Sequence, residues 1–396
     1  MVAQSTVDRE FGVTAPAGFR AAGLSAGIKA SGAADLALVV NDGPSDTAAA
    51  VFTRNQVKAA PVLWSQQVLA ERRLRAVVLN SGGANACTGP QGFQDTHATA
   101  EKAAGALGLG AIDVAVCSTG LIGEPLPMDA VLSGVDAAVS NLDAGREAGL
   151  AAATAVMTTD TVPKQATLRH PDGWTVGGFA KGAGMIAPSM ATMLAVLTTD
   201  ALVDGGTADA ALREAVRVTF DRLDVDGSMS TNDTVLLLAS GASGAQPESA
   251  ELTGALTAVC ADLVAQLQAD AEGVTKEINV TVRGAASEDD AVRAARTVAR
   301  DSLVKTALFG SDPNWGRIAA AVGYSPAQVQ PDRLDVAING VTLCRGGAVA
   351  ADRSTVDLSG RHIEVVVDLG LGDGTATIRT TDLSHGYVEE NSAYSS

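Results

Sequence analysis

Residues 181–197, KGAGMIAPSMATMLAVL, hold the residue type whose setting is hardest to explain by packing alone. Thr192 lies in an apolar run beside small residues, with Gly and Pro just upstream. A hydroxyl nucleophile usually borrows a histidine as its base. The chain has four histidines, His97, His170, His362 and His385, and none stands in a nucleophile-elbow or HExxH context. A threonine can act without one if its own α-amine is the base. That requires a cut between Ala191 and Thr192. A free α-amine has a pKa of about 7.7–8.0, so a useful fraction is unprotonated near neutrality. It can take the hydroxyl proton directly or through water, and the oxygen can then attack a carbonyl to give an acyl-enzyme. The plain alternative is that Thr192 is a strand residue.

Other motifs carry weaker signals. The run from Gly182 to Ala187 satisfies a loose GxGxxA pattern, but Pro188 interrupts the helix that a dinucleotide site needs. Ser118, Thr119 and Gly120 follow an expected strand over residues 113–117. A sharp turn there can expose backbone N–H groups to a developing oxyanion, and an ordinary strand-end turn is the alternative. Asp224, Asp226, Gly227 and Ser228 resemble a calcium loop with Gly misplaced and no closing Glu, so no metal is expected. The polar run from Ser230 to Thr234 reads as a turn network able to line a site.

These residues need a scaffold, and 396 residues suffice for two or three domains. Alternating and apolar runs predict strands over residues 35–40, 76–79, 113–117, 175–180, 194–198, 334–338, 363–368 and 375–379. Ile278, Val280 and Val282 alternate like a half-buried strand. Leu252, Leu256, Val259, Leu263 and Leu267 mark one helical face, an Ala-rich helix covers residues 97–107, and Ser287 caps a helix reaching Lys305. The class is layered α/β or α+β, with a composition shift near Lys276 dividing residues 1–275 from 276–396. Aromatics are only 3%, so Val, Leu, Ala and Met must build the core. A net charge of −17 disfavours nucleic acid and anionic membranes as partners. Cys87, Cys117, Cys260 and Cys344 are scattered, without metal or disulfide spacing. No signal peptide and no uncharged apolar run of about 18 residues is seen, so a soluble cytoplasmic protein is expected.

The motif KGAGMIAPSMATML resembles that of the glutamate N-acetyltransferase (ornithine acetyltransferase) family of arginine biosynthesis. So do Ser118–Gly120, LNSGGANACTG at residues 79–89, MTTDTVPK at 157–164 and the ending NSAYSS. The likeness runs from AGIKASGAADLALV near the start to the last residue. It implies a precursor that cuts itself between Ala191 and Thr192, with Thr192 as nucleophile. It places Thr119 and Gly120 at the oxyanion hole, and Thr158, Lys181, Thr192, Glu272, Asn391 and Ser396 at substrate-binding positions. Lys181 could meet the substrate α-carboxylate and Glu272 an ammonium group, where solvated surface charge is the alternative for both. Gly83 stands where the family more often has Asn. The implied reaction is ping-pong: N2-acetylornithine acetylates Thr192, and glutamate then takes the acetyl group. No metal or cofactor is implied; in a bifunctional enzyme acetyl-CoA is a further co-substrate. The implied fold is an αββα sandwich of the self-processing N-terminal-nucleophile type, with smaller α/β modules in the C-terminal half. The implied assembly is an (αβ)2 heterotetramer or larger. A self-processing amidohydrolase or aminopeptidase with the same nucleophile, and an uncleaved binding or scaffold protein, stand as alternatives.

Overall fold

The computed structural model describes residues 6–187 and 193–393. Two compact units are present. The first comprises Met1–Ala183, Ser189–Asp221 and Met229–Leu267; the second comprises Gly184–Pro188, Arg222–Ser228 and Gln268–Ser396. A single cut at residue 276 misses the two short excursions. They belong to the second unit because Val225 N–H donates to the Ile186 carbonyl and Asp224 N–H to that of Arg379.

In the first unit the chain forms β1 (Val7–Asp8), β2 (Phe19–Leu24), β3 (Leu36–Asn41), β4 (Thr47–Phe52), α1 (Ala60–Val68), β5 (Ala76–Asn80), α2 (Gly89–Leu107) and β6 (Val114–Ser118). It continues through α3 (Met128–Ser140), α4 (Arg146–Ala155), β7 (Lys164–Arg169), β8 (Thr175–Lys181), β9 (Leu194–Thr199), α5 (Gly205–Val218), β10 (Thr234–Ala239) and α6 (Ser249–Ala269). Two sheets result, ordered β2-β3-β5-β6 and β1-β7-β8-β9-β10-β4. Only β5–β6 and β9–β10 run parallel.

The apolar runs of β3 and β10 are buried at every position, which is why they lack polar alternation. Phe179, Val196 and Leu238 of the larger sheet share one core with Leu38, Val78 and Val116 of the smaller. Helices α2, α3 and α4 cover the smaller sheet with Ala100, Val135 and Ala152. On the other side α5 packs on β4, and the Gln266 side chain of α6 donates to the Gln165 carbonyl of β7. The layering is helix, sheet, sheet, helix, as the family resemblance implies. Helix α6 is long and apolar enough to cross a membrane, yet its Leu252, Leu256, Val259 and Leu263 are wholly buried within the protein. With so few aromatics the layers approach closely. A Cβ on Gly23 of β2 would lie 2.0 Å from the Ala151 carbonyl oxygen of α4.

The second unit contains β11 (Glu277–Ala285), α7 (Glu288–Arg300), α8 (Ser302–Phe309), α9 (Trp315–Tyr324), β12 (Asp335–Ile338), β13 (Val341–Arg345), β14 (Ala348–Val349), β15 (His362–Asp368), β16 (Gly374–Thr381) and α10 (His385–Ala393). Its sheet has the order β14-β13-β12-β15-β11-β16. The buried face of α7 (Ala291, Ala294, Val298) shares a core with Val280 and Ile378. The helix expected to run from Ser287 to Lys305 is broken. Asp301 leaves the helical region at ψ 116°, and its carboxylate accepts the Val304 N–H at 2.8 Å, so it starts α8. Lys305 then points inward and donates to the Val225 carbonyl at 2.6 Å and the Thr380 hydroxyl at 3.0 Å. The helix expected from residue 97 begins earlier, at Gly89, with Pro90 in its first turn.

Two substitutions separate these contributions. Asp301→Ala should lower unfolding free energy by about 1 kcal/mol through loss of the cap. Leu237→Ala, in a strand buried on both faces, should cost about 2–5 kcal/mol. Urea unfolding of both variants, followed by circular dichroism, measures the difference; equal costs would contradict the assignment.

Candidate active site

Strand β8 ends at Lys181, and its side chain does not reach solvent: it is 1% exposed. Surface charge is therefore excluded as its reason for being there. The ammonium donates to the Thr158 hydroxyl at 2.7 Å and reaches the Thr119 hydroxyl at 3.4 Å. Three of the sequence-derived candidates thus come together in the first unit.

A carboxylate absent from the sequence reading organises them. Asp160 Oδ1 accepts from Lys164 Nζ and from Gly182 N–H, each at 2.7 Å, and Oδ2 accepts from Thr158 N–H at 3.1 Å. Lys181 Nζ lies 3.9 Å from Oδ2. Burial would raise the Asp160 carboxyl, but the charges of Lys181 and Lys164 outweigh it and hold the pKa at about 2. Asp160 is ionised at any working pH.

Thr119 and Gly120 follow β6 on a turn that folds against the loop after β5. Gly120 has φ 133°, and a Cβ there would lie 2.7 Å from Gly83 N. Only glycine fits both the dihedral and the approach. Gly83 pairs with Thr119 in an isolated bridge, and Asn80 ties the turn by accepting from the Ser118 hydroxyl and donating to the Gly83 carbonyl. One expectation changes. The Thr119 N–H is engaged with the Asn80 carbonyl at 2.9 Å, so the donor Thr119 can offer is its hydroxyl.

The polar run ahead of β10 braces the same turn. Asn232 Nδ2 donates to the Ala84 carbonyl at 2.6 Å and to the Ser118 carbonyl at 2.8 Å. Thr53 anchors the run from β4 by donating to the Ser230 carbonyl. The density of short polar residues from 230 to 234 was the available signal; which of them clamps the turn was not legible.

Ala191, Thr192 and Ser396 lie outside the described residues. Glu272 and Asn391 belong to the second unit. There Asn391 Nδ2 donates to Glu272 Oε2 at 2.9 Å, so α10 presents Asn391 to the carboxylate. The start of α10 lies against Gly273, where a Cβ would meet Tyr387 N at 2.0 Å. Glu272 also lies against Gly184, leaving no room for a Cβ there. Asp226 pins the adjoining backbone by accepting from Met185 N–H at 2.7 Å and Ile186 N–H at 3.0 Å. Those bonds explain the bend that replaces the helix of a dinucleotide motif. Asp224, in the would-be calcium loop, accepts from Arg300 Nε at 2.6 Å. No group of three metal-ligating side chains occurs among the described residues.

The ArgJ family model matches residues 20–396. A relative from Mycolicibacterium paratuberculosis is 68% identical over 98% of this chain and 97% of its own length. One from Streptomyces coelicolor is 61% identical over 97% of this chain and 100% of its own. Both are named arginine biosynthesis bifunctional protein ArgJ. A crystal structure described as ornithine acetyltransferase complexed with ornithine, from Mycobacterium tuberculosis, is 67% identical; it covers 48% of this chain and 100% of that chain with a TM-score of 0.47. The match over nearly the whole length, together with the relatives' identity, places this chain in the ArgJ family.

Proposed function

We propose that the protein is a glutamate N-acetyltransferase of arginine biosynthesis, working in the cytoplasm. It moves an acetyl group from N2-acetylornithine to glutamate through acetyl-Thr192, after cutting itself between Ala191 and Thr192. Family membership supports the reaction. The observation that carries the site is the wholly buried Lys181, held by Thr158 beside the Thr119 hydroxyl.

The steps follow from the groups available. The α-amine of Thr192 takes the hydroxyl proton, and the oxygen adds to the acetyl carbonyl of acetylornithine. Thr119, through its hydroxyl, and Gly120 stabilise the oxyanion. Collapse breaks the bond to the ornithine nitrogen, which leaves with the proton held by the amine. Glutamate then attacks acetyl-Thr192 and reverses the sequence. Lys181 and Thr158 hold a substrate carboxylate or carbonyl, the buried ammonium supplying positive charge beside the Thr119 hydroxyl. Glu272 and Asn391 take a substrate ammonium, and Ser396 completes the set. The reaction needs no metal or cofactor. The word bifunctional in the relatives' names favours acetyl-CoA as a second acetyl donor. The two parts of the cut chain assemble as (αβ)2 or larger. A hydrolase with the same nucleophile is the second reading, since an acyl-enzyme can equally pass its acyl group to water.

Four outcomes test this. Brief exposure to acetylornithine should add one acetyl mass to a chain beginning Thr-Met-Leu-Ala, and Thr192→Ala should stay one chain without the adduct; mass spectrometry of both decides. Ornithine release should depend on glutamate, and release indifferent to glutamate would favour the hydrolase. Thr119→Ala, which removes the hydroxyl donor, should reduce kcat by about 10²–10³, the worth of one oxyanion donor. Lys181→Ala should lower kcat/KM far more than it lowers folding stability, and unchanged kcat/KM in steady-state assays would reject its substrate role.

A further inference from the structure

Lys164 takes part in none of these steps, yet it lies beside residues that do. It opens β7 and, like Lys181, is wholly buried. Asp160 serves the two ammonium groups unequally. Lys164 Nζ takes the close contact, 2.7 Å from Oδ1, whereas Lys181 Nζ stands 3.9 Å from Oδ2. Lys164 also donates to the Val162 carbonyl at 3.3 Å, which fixes it on that side of the carboxylate. The near contacts of Lys181 include two hydroxyls, those of Thr158 and Thr119. Burying an ammonium is costly, and one would satisfy the charge of Asp160, so the second calls for a reason.

The charges supply one. The two ammonium groups and the carboxylate of this trio leave a single positive charge. Lys29, which donates to the Met157 carbonyl at 2.7 Å and also feels Asp160, is matched by Asp35. Asp233 faces the charge of Lys181 as well, but burial pushes its carboxyl well up, toward the neutral form. A substrate carboxylate arriving at Lys181 and Thr158 therefore brings the trio to neutrality. Without Lys164, Asp160 and Lys181 would already cancel, and the same carboxylate would leave a negative charge buried without compensation. Asp160, no longer shared, would also compete with the substrate for Lys181, since attraction between opposite charges is strong at short range away from water.

We infer that Lys164 is a positioning residue for carboxylate binding: by taking the close contact with Asp160, it keeps the Lys181 ammonium available to a substrate carboxylate. This rests on the substrate role given to Lys181. No bond forms and no proton moves; Lys164 acts through Asp160, and its effect is on binding. Acetylornithine and glutamate both carry an α-carboxylate, so the effect falls on both halves of the reaction. The backbone bonds that Asp160 accepts from Thr158 and Gly182 hold the carboxylate still between its two lysines. The unequal distances are thus a built feature of the loop before β7 and the end of β8.

The test uses the full chain with Lys164→Met and with the double variant Lys164→Met, Asp160→Asn, in steady-state assays with acetylornithine and glutamate. Lys164→Met should raise both KM values about ten- to a hundredfold, the worth of a hydrogen bond to a charged group, with kcat falling far less. The double variant loses one charge of each sign and leaves Lys181 as the cation of the trio. Its KM values should return toward those of the wild type. A lysine that only braced the fold would give a double variant at least as impaired as Lys164→Met. KM values as high in the double variant as in Lys164→Met, or a loss confined to kcat, overturn the role. If Lys164→Met does not fold, the double variant against the wild type decides: near-native KM values support the role, and values raised tenfold or more overturn it. Wild-type protein and Lys181→Ala keep the readings apart. Ornithine release by the wild type that ignores glutamate sinks the proposed function, and unchanged kcat/KM in Lys181→Ala sinks the substrate role of Lys181. If both behave as expected and the double variant is not rescued, only the role of Lys164 falls.

Discussion

The buried carboxylate of Asp160 is the interaction on which the first unit's site depends. Two lysines, Lys164 and Lys181, are 0% and 1% exposed at the start of β7 and the end of β8. Ammonium groups so far from water are tolerable only when paired, and losing the partner of such a pair is far more costly than the pair is stabilising. Asp160 answers both charges, and with its remaining capacity it accepts the N–H groups of Thr158 and Gly182. One side chain thereby aligns the loop before β7, the end of β8 and the first glycine of the 181–197 motif. Lys181 can face Thr119 because Asp160 supports it from behind without taking it into a close ion pair.

The turn at Ser118–Gly120 and the residue Met193 are joined by the polar run ahead of β10. Asn232 reaches one way, to the carbonyls of Ala84 and Ser118, and its neighbour Asp233 reaches the other, to Met193. The two adjacent residues thereby tie the Ser118–Gly120 turn and Met193, just ahead of β9, to one polar run.

Much of this could be read from the chain before any coordinates. Strands such as β5 and β9 announced themselves because they are buried at every position and open on unbroken apolar runs. The face of α6 was plain from its leucine spacing. What escaped was decided by partners far away in sequence. Lys181 looks like any surface lysine until Asp160 is placed beside it. Asp160 and Lys164 stand four residues apart, but outside a helix, where that spacing carries no expectation of contact. The Thr119 N–H was a natural oxyanion donor until the Asn80 carbonyl claimed it. The break at Asp301 was hidden because helix-forming residues flank it on both sides. The excursions of residues 184–188 and 222–228 into the second unit leave no mark on composition at all.

The shortage of large side chains noted for the core has its own consequence. Layers that meet backbone to backbone, as Gly23 and Ala151 do, and turns that nest glycine on glycine, as Gly120 and Gly83 do, have little bulk to lose and no room to gain. Addition of a single carbon at these contacts would force main chain apart. Tolerance at these glycine contacts is lopsided: any larger residue is blocked by main chain, so an alanine- and glycine-rich sequence of this kind tends to stay that way.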